Sequence, residues 1–429
     1  MALRRFKKLS LVAHVCGLAL VGLCVPPAVA QDIEPLYDRD RNVSVTERTR
    51  PDYEPSGIEV GSFNIAPRFE ADVGFTDNVF ADENNAESDT VATLRARIDA
   101  RSTWSRHGLR LSAGAERTMY NDFPKSDVFD PFLEAEGRFD FGRNGRILGL
   151  VRSYEQSETW GSPEQPETAI SPVEIHGQQA LIEARYQFNR IRVSGTLSST
   201  ELDYDDSITR TGGRIDQDGR DRTERVATAR AELALSPDTA VLAEVQINDR
   251  DYEFLAPGGI SRNSTGQTYL VGANFDLTDL VRGEVSVGAF NQDYKDNAIG
   301  EISGLAANAR VDWFPTERTT VSGQARRLVE EAFLQGARTY VTTEASLQVD
   351  HELRRNVIVS AGARLGQREY EGIDRDDTVR GLQVGATYLV NRRVSVQAGY
   401  SFDAQTSDGA RRDRDYDINR GFVGVRVRL

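Results

Sequence analysis

An alternation of apolar and polar residues repeats along this chain from about residue 62 to the last residue, Leu429. Side chains of a β-strand point to opposite faces with a period of two residues, whereas one face of a helix recurs every 3.6 residues. The two-residue period is clearest in segments 227–233, 341–350 and 394–402. The sequence therefore predicts an all-β chain whose strands each have one apolar face and one polar face.

The alternating segments number about 18 and begin near residues 62, 91, 108, 131, 146, 178, 191, 224, 240, 267, 283, 302, 320, 339, 356, 379, 393 and 417. Eight of the connections between them are short, and the other nine are longer and rich in Asp, Asn, Gly and Ser. Outer-membrane barrels have short periplasmic turns and longer extracellular loops. We therefore predict a single transmembrane antiparallel up-and-down β-barrel of about 18 strands (16–18), with both chain ends on the periplasmic side.

Lipid outside and water inside would explain why each strand is apolar on one face only. No run after residue 30 approaches the roughly 20 apolar residues that a membrane helix needs, and the mean hydropathy is −0.47. A soluble β-sandwich is the alternative, but its strands are normally shorter and its long and short turns are not separated so regularly. Aromatic residues precede several predicted short turns, where a membrane-boundary girdle would lie. They are Phe139, Phe141, Tyr186, Phe188, Phe275, Trp313, Phe314 and Tyr388.

The first thirty residues have the features of a secretory signal peptide. A basic region, an apolar run and a small-residue cleavage site follow one another: Arg4, Arg5, Lys7 and Lys8, then residues 9–25, then Ala28-Val29-Ala30. We therefore predict a cleaved signal peptide at 1–30, a disordered periplasmic lead-in at 31–58, and an outer-membrane barrel at 59–429. The expected location is the outer membrane of a Gram-negative cell.

The charge of the chain argues against nucleic acid as a partner. All 66 acidic residues but only 48 of the 52 basic residues follow Ala30, so the predicted mature chain has a net charge of −18. Binding to nucleic acid depends on basic residues that neutralise phosphates. Both cysteines, Cys16 and Cys24, lie in the predicted signal peptide, which leaves the mature chain without a disulfide.

The sequence offers no residues with the spacing of a catalytic or metal site. The histidines beyond the predicted cleavage site, His107, His176 and His351, stand far apart, and no Gly-x-Ser-x-Gly motif occurs. A zinc site needs several convergent ligands, and a nucleophilic serine needs a base within reach. We therefore expect a protein that is not an enzyme and that has no catalytic residue, metal or cofactor.

The polar face of the predicted strands carries both signs of charge. Rings of charged side chains in a pore set which solutes pass, and the same side chains would also pair across strands and keep the wall hydrated. The candidate pore-lining residues are Arg95, Arg97, Asp99, Arg101, Glu134, Glu136, Arg138, Asp140, Glu183, Arg185, Arg230, Glu232, Arg310, Asp312 and Glu344.

Four stretches of the sequence resemble one known family of outer-membrane proteins. They are RPDYEPSGI at 50–58, FTDNVF at 75–80, WSRH at 104–107 and VDHELRRN at 349–356. Through these stretches the chain resembles the putative β-barrel porin 2 family over nearly its whole mature length. The resemblance implies an outer-membrane β-barrel and suggests a link with barrels associated with exopolysaccharide export. The four stretches mark the fold rather than a reaction.

The expected function follows from the predicted size of the barrel. An eight-stranded barrel is filled by its own side chains, whereas 16 to 18 strands leave an aqueous channel. We expect a passive channel, for which the family resemblance suggests exopolysaccharide export. A general porin for small solutes and a non-conducting structural or adhesive barrel are the alternatives. Inward folding of the loops near 157–175 and 206–222 would distinguish a plugged lumen from an open one.

The expected partners follow from the predicted location and from the end of the chain. They are outer-membrane lipid and lipopolysaccharide, the barrel-insertion machinery and, as a further candidate, components of polysaccharide export. Apolar residues occupy every second position at the end of the chain: Val423, Val425, Val427 and Leu429. In outer-membrane barrels such a terminal strand is the signal that the insertion machinery reads, although its usual last residue is Phe. We expect this strand to close the barrel against the first strand, near residues 63–75.

Overall fold

The computed structural model of the protein describes residues 43–209, 211–255, 259–278, 280–334, 336–337 and 339–429. The predicted signal peptide and residues 31–42 of the predicted lead-in lie outside the described residues. Eighteen long strands follow one another along the chain. They are β1 (Phe63–Thr76), β2 (Asp89–Ser102), β3 (Gly108–Tyr120), β4 (Val128–Phe141), β5 (Gly145–Ser157), β6 (Glu174–Phe188), β7 (Ile191–Tyr204), β8 (Arg222–Ser236), β9 (Thr239–Tyr252), β10 (Ser264–Leu277), β11 (Val281–Tyr294), β12 (Glu301–Thr316), β13 (Thr319–Glu331), β14 (Thr339–Arg354), β15 (Val357–Glu371), β16 (Asp376–Leu389), β17 (Val394–Asp408) and β18 (Tyr416–Arg428).

These strands form one closed antiparallel barrel. Each strand pairs with the next along the chain, and β18 returns to pair with β1. At this closing seam Phe69 lies opposite Val427, and the Leu429 backbone N–H donates to the Pro67 carbonyl oxygen at 3.1 Å. The predicted fold class is confirmed, and so is the predicted pairing of the last strand with the first.

The observed strand starts lie within four residues of the predicted ones. The larger differences fall where a strand begins at the long-loop end, as at Glu174, where a start near 178 was expected. There the hydrogen-bonded ladder continues past the apolar stretch, because pairing of the backbone does not require an apolar face. The alternation of side chains therefore locates the membrane-facing part of a strand better than its full length.

Short turns connect each even-numbered strand to the odd-numbered strand that follows. In the two-residue turn between β6 and β7, Asn189 has a φ of 47°, as the twist of such a tight hairpin demands. Asparagine enters this left-handed region more readily than most residues. Because the number of strands is even, β1 begins and β18 ends at the short-turn end of the barrel.

The outer face of the barrel is apolar and exposed. Leu133, Val271 and Leu305 are exposed by 64%, 61% and 72% of their surface. Soluble monomers rarely expose contiguous apolar patches larger than a few hundred Å², whereas this face continues around the strands. The surface therefore matches a lipid environment better than an aqueous one.

The predicted aromatic girdle is present at the short-turn end, with one correction. Phe139, Phe188, Trp313 and Tyr388 are each about half exposed on the outer face. Phe314 is buried, however, and faces the lumen, where the Arg282 guanidinium lies 5.2 Å from its ring centre. Neighbouring residues of a strand point to opposite faces, so Trp313 and Phe314 cannot both belong to the girdle.

The remaining elements are short. Ile58–Val60 pairs with the start of β1, and Ser207–Ile208 pairs with Arg214–Ile215 in a small hairpin of the loop between β7 and β8. Two 3₁₀ turns lie at Pro124–Ser126 and Asp218–Arg220. Within the described residues, no helix is long and apolar enough to cross a membrane.

Removal of the closing strand should prevent formation of the barrel. A variant that lacks residues 421–429 loses most of the pairs with β1, and each backbone group left unpaired in a membrane costs on the order of several kcal/mol. We expect no heat-resistant band for this variant in a gel-shift assay of outer-membrane fractions. A variant that lacks the exposed residues 211–213 should keep the wild-type band. A heat-resistant barrel without residues 421–429 would contradict the observed closure.

Candidate functional site

The fifteen predicted pore-lining residues lie on the strand face opposite to the exposed apolar side chains. Contacts that skip strands identify this face as the inner one. Arg230 on β8 reaches Glu284 on β11, with 2.5 Å between Nη2 and Oε2. Two strands separate this pair along the wall, so the side chains meet inside the barrel. The inner wall is thereby defined, while a role of these residues in selectivity stays a prediction.

Many of these inward-facing charges are joined as ion pairs along a single strand. Residues two apart in a strand share a face, which lets an arginine reach the carboxylate of its second neighbour. The pairs of predicted residues joined in this way are Arg97 with Asp99, Arg138 with Asp140, Arg185 with Glu183, and Arg230 with Glu232. The wall is therefore dense in charge but largely neutralised.

Other predicted residues bind partners that the sequence analysis did not single out. Glu134 and Glu136 both accept hydrogen bonds from Arg110, at 3.0 and 2.7 Å. The further missed partners are Asp72 and Glu116, which bind Arg95, Arg282, which binds Asp312, and Arg326, which binds Glu344. All of them occupy inward positions by the two-residue period, so the period alone could have identified them. Within the described residues, Arg101 and Arg310 have no ion-pair partner.

The connection between β5 and β6, residues 158–173, folds across the long-loop mouth of the barrel; we name it the crossing loop. Its base is closed by the Glu158 backbone N–H, which donates to the Val173 carbonyl oxygen at 2.9 Å. Glu164 Oε2 accepts a hydrogen bond at 2.9 Å from the backbone N–H of Phe333, which lies between β13 and β14. Seven strands separate β5 from β13 along the wall. The crossing loop therefore spans the lumen rather than projecting into the medium.

Apolar and polar contacts hold the crossing loop in place. Trp160 is only 6% exposed, and its ring lies edge-on to Phe80, with 4.8 Å between ring centres. The Tyr416 hydroxyl donates to the Gly161 carbonyl oxygen at 3.1 Å. At the base of the loop, Glu158 forms a buried ion pair with Arg220 of the connection between β7 and β8. Of the two loops whose inward folding was left open by the sequence, the one near 157–175 thus folds inward and is anchored by the other.

Two carboxyl groups of the crossing loop have pKa values above their usual range. Burial raises the pKa of the Glu164 carboxyl. A hydrogen bond with the Asp413 carboxyl raises the pKa of Glu167 to about 7, and burial adds to the rise. Asp413 lies in the connection between β17 and β18, so this pair of carboxyl groups links the crossing loop to a further part of the rim.

Inward-facing tyrosines surround the lumen at the long-loop end, and we name them the tyrosine collar. They are Tyr120, Tyr154, Tyr204, Tyr252, Tyr294, Tyr340, Tyr370 and Tyr416. Some of them bind charged neighbours: the Tyr294 hydroxyl donates to Glu331 at 2.9 Å, and the Arg220 guanidinium lies 4.1 Å from the Tyr204 ring centre. A buried tyrosine normally keeps a polar partner for its hydroxyl. The collar thus provides an amphipathic surface on which the loops pack.

Residues 43–57, which we name the N-terminal segment, cross the opposite mouth of the barrel. Val45 is fully buried, and its backbone N–H donates to Thr320 Oγ1 at 2.9 Å. Arg50 binds Glu352 of β14 at 2.9 Å, while the Tyr53 carbonyl oxygen accepts from the last strand. Disorder was predicted for residues 31–58, whereas residues 43–57 have defined contacts with the wall. The segment has no periodic pattern of apolar residues. Its partners in the wall are far away in the sequence, so they could not be identified from it.

Between the two mouths, a cavity of about 420 Å³ lies against the inner wall formed by β12 to β17. Asn308, Gln324 and Ser346 line it and are exposed to the lumen. Within the described residues, these three side chains have no hydrogen-bond partner. This part of the wall therefore offers neutral donors and acceptors to a solute in the lumen.

A cluster of three aspartates lies in the connection between β7 and β8. Asp206, Asp216 and Asp218 hold carboxylate oxygens within 4.8 Å of one another in the connection between β7 and β8. Arg214 forms an ion pair with Asp206, so part of the negative charge is already neutralised. These are the carboxylates of the described residues with the spacing that a cation would require.

The closed barrel, its apolar outside and its charged inner wall define the protein as a porin-like β-barrel channel of the outer-membrane type. The model of the putative β-barrel porin 2 family matches residues 50–429. The chain belongs to this family, and the resemblance inferred from the sequence is confirmed. No curated protein matches the sequence.

Several solved structures are similar to this chain at low sequence identity. OccK2 (OpdF) of Pseudomonas aeruginosa in complex with glucuronate has a TM-score of 0.46 and 12% identity, with 85% of this chain and 98% of that chain covered. A BenF-like porin from Pseudomonas fluorescens Pf-5 has a TM-score of 0.45 and 12% identity, again with 85% and 98% covered. A mutant ferric enterobactin receptor (PfeA) of Pseudomonas aeruginosa has a TM-score of 0.44 and 7% identity, with 85% and 80% covered.

The ion pairs that cross the lumen should contribute to stability. The Arg230 side chain is 11% exposed and binds three carboxylates. Arg230→Ala therefore leaves Glu244 and Glu284 without a cation, while Glu232 keeps its ion pair with Arg192. Loss of one partner of a buried ion pair costs about 3 to 5 kcal/mol, and we expect a loss of that order in urea unfolding followed by tryptophan fluorescence. Arg225→Ala breaks an exposed pair with Asp249 and should cost at most about 1 kcal/mol. Equal losses for the two variants would contradict a stabilising lumen network.

Proposed function

We propose that the protein is a passive channel for hydrophilic solutes and that the crossing loop limits which solutes enter. The observation that carries this proposal is the path of the loop from β5 across the mouth to Phe333, near the opposite wall. Because the loop lies inside the barrel, it reduces the cross-section through which a solute can pass. The polar inner wall favours solutes that keep their hydration, and charged groups there bias which ions pass.

The two mouths support a narrow rather than a wide channel. The N-terminal segment covers part of the short-turn mouth through Val45 and Arg50, and the crossing loop covers part of the other. Both are attached by hydrogen bonds and ion pairs, which displacement would have to break. A channel of this kind suits small solutes in the observed conformation.

Conductance measurements in planar bilayers test the proposal. Replacement of residues 161–168 by two glycines removes the part of the crossing loop that spans the lumen, while the ion pair of Glu158 with Arg220 stays intact. We expect single-channel conductance several-fold above that of the wild type, because the open cross-section grows.

The matched control is a variant that lacks residues 211–213, an exposed loop tip of the same end of the barrel. Its conductance should equal that of the wild type. Absence of current in both the wild type and the shortened-loop variant would favour the non-conducting structural or adhesive barrel. Equal currents in those two proteins would refute the loop as the limiting element.

Exopolysaccharide export is the second candidate. Membership of the family and the unpartnered polar groups Asn308, Gln324 and Ser346 support it, since hydroxyl-rich chains bind through such donors and acceptors. A polysaccharide would need the crossing loop displaced, which the solute channel does not require. Deletion of the gene distinguishes the two: reduced secreted polysaccharide supports export, and normal secretion with slower solute uptake supports the solute channel.

The remaining expectations belong to the same proposal. We infer cleavage after Ala30, insertion through the barrel-insertion machinery by way of residues 423–429, contact with lipid and lipopolysaccharide in the outer membrane, and no enzymatic activity. An outer-membrane protein with Gln31 as its first residue would support the first inference, and N-terminal sequencing provides that measurement. Components of polysaccharide export become partners only if the second candidate holds.

A further inference from the structure

We propose that Arg68, Arg101 and Arg428 form a binding site for oxyanions, solutes with a carboxylate or phosphate group, at the short-turn end of the inner wall. The proposal rests on the proposed channel function, because the lumen is the route by which a solute reaches the site. It adds a substrate class that the ion-pair network by itself does not indicate.

The register of the strands places Arg68 and Arg428 side by side, and Arg101 lies about 13 Å further along β2 toward the short turn. Arg68 of β1 lies directly opposite Arg428 of β18 on one side and Arg97 of β2 on the other. Arg101 lies directly opposite Arg110 of β3. Neighbouring strands are about 4.8 Å apart, so Arg428, Arg68 and Arg97 stand in a row about 10 Å wide. Like charges directly opposite each other destabilise a sheet, so this arrangement does not serve the fold.

Of the five arginines in this part of the wall, only two form ion pairs with carboxylates. Asp99 binds Arg97 through two hydrogen bonds, at 2.9 and 3.0 Å, and Arg110 binds two glutamates of β4. Of the residues that the structure describes, none provides an ion-pair partner for Arg68, Arg101 or Arg428. Arg428 donates only to the Tyr53 carbonyl oxygen at 3.5 Å, and its Nε is buried without a partner. These three guanidinium groups are thus left without a carboxylate in direct contact.

Two acidic side chains of the inner wall that lack an ion-pair partner are placed differently. Glu330 and Asp350 are 8% and 7% exposed and accept hydrogen bonds from Thr342 and Ser360. The three arginines are instead partly exposed to the lumen. A solute therefore meets guanidinium groups that have no ion-pair partner here, although the net charge of the whole chain is negative.

Arginine gives this site its chemical preference. A guanidinium presents several N–H donors in a planar fork that matches the oxygens of carboxylate and phosphate groups. Arginines in a row can bind one anion through more than one fork, which favours solutes with several negatively charged oxygens. Neutral sugars offer no charge to this row, so their passage should not depend on it.

Ion selectivity and block by anions test the site. The wild-type channel in a tenfold KCl gradient should prefer chloride, and citrate or inorganic phosphate on the short-turn side should reduce its current, whereas glucose should not. In the double variant Arg68→Gln with Arg101→Gln, we expect the chloride-to-potassium permeability ratio to fall at least two-fold and the half-blocking concentration of citrate to rise at least five-fold. Block by citrate alone would indicate a polycarboxylate site, and block by phosphate alone a phosphate site.

The matched control is Arg225→Gln with Arg327→Gln, which removes the same charge from the outer face of the barrel. It should keep the wild-type selectivity and block. Cation preference in the wild type, or an unchanged ratio in the Arg68 and Arg101 variant, would overturn the proposal. If the wild type conducts no current, the channel function fails, and calorimetry of citrate binding to the refolded barrel decides the site: saturable binding lost in the double variant supports it, and equal binding or none refutes it.

Discussion

The hydrogen bonds between β18 and β1 are the constraint on which the rest of the structure depends. They turn a chain of hairpins into a surface without edges, which is the form a sheet must take in lipid, where unpaired backbone groups have no water to bind. Closure also fixes the register of every strand, because a shift by one residue would turn all of its side chains to the other face. The register at the seam, in which Phe69 lies opposite Val427, therefore determines which side chains of the wall face outward and which face the lumen.

The crowded interior follows from that closure. Charged side chains on the inner face do not contact lipid, but they need partners of opposite charge within the barrel. Most of them pair with a residue two positions away in the same strand or with a residue of a nearby strand. The seam shows how tight this packing is: a Cβ on Gly424 would lie 1.6 Å from an oxygen of Asp72. That Asp72 carboxylate binds Arg95 and accepts a hydrogen bond from Gln397 of β17 at 2.8 Å. A glycine on the last strand thus leaves space for a network that joins three parts of the barrel.

The barrel could be predicted from the two-residue period of its strands. The structure at its two mouths could not, because it depends on contacts between residues far apart in the sequence. Strand starts, turn parity and the inward parity of residues such as Arg95 and Glu344 all follow from a two-residue period. The path of the crossing loop does not, because Trp160 meets Phe80 and Tyr416 meets Gly161 only after the strands have been arranged in a circle. The error on Phe314 was different in kind, because the two-residue period already places neighbours such as Trp313 and Phe314 on opposite sides of the wall. Arg97 and Arg101 were predicted to line the pore, but their proximity to Arg68 and Arg428 was missed, since these residues come from the two ends of the chain.

The N-terminal segment has a consequence for the seam. Its far end is continuous with Ile58–Val60, which pairs with β1, and its Tyr53 carbonyl oxygen binds Arg428 of β18. The same segment is thus tethered to both strands that meet at the seam, while Arg50 ties it to β14 across the mouth. Separation of β1 from β18 would pull the segment away from one of its tethers. Opening of the seam between β1 and β18 toward the bilayer would therefore also displace the N-terminal segment from the short-turn mouth. The two openings of this barrel are mechanically coupled.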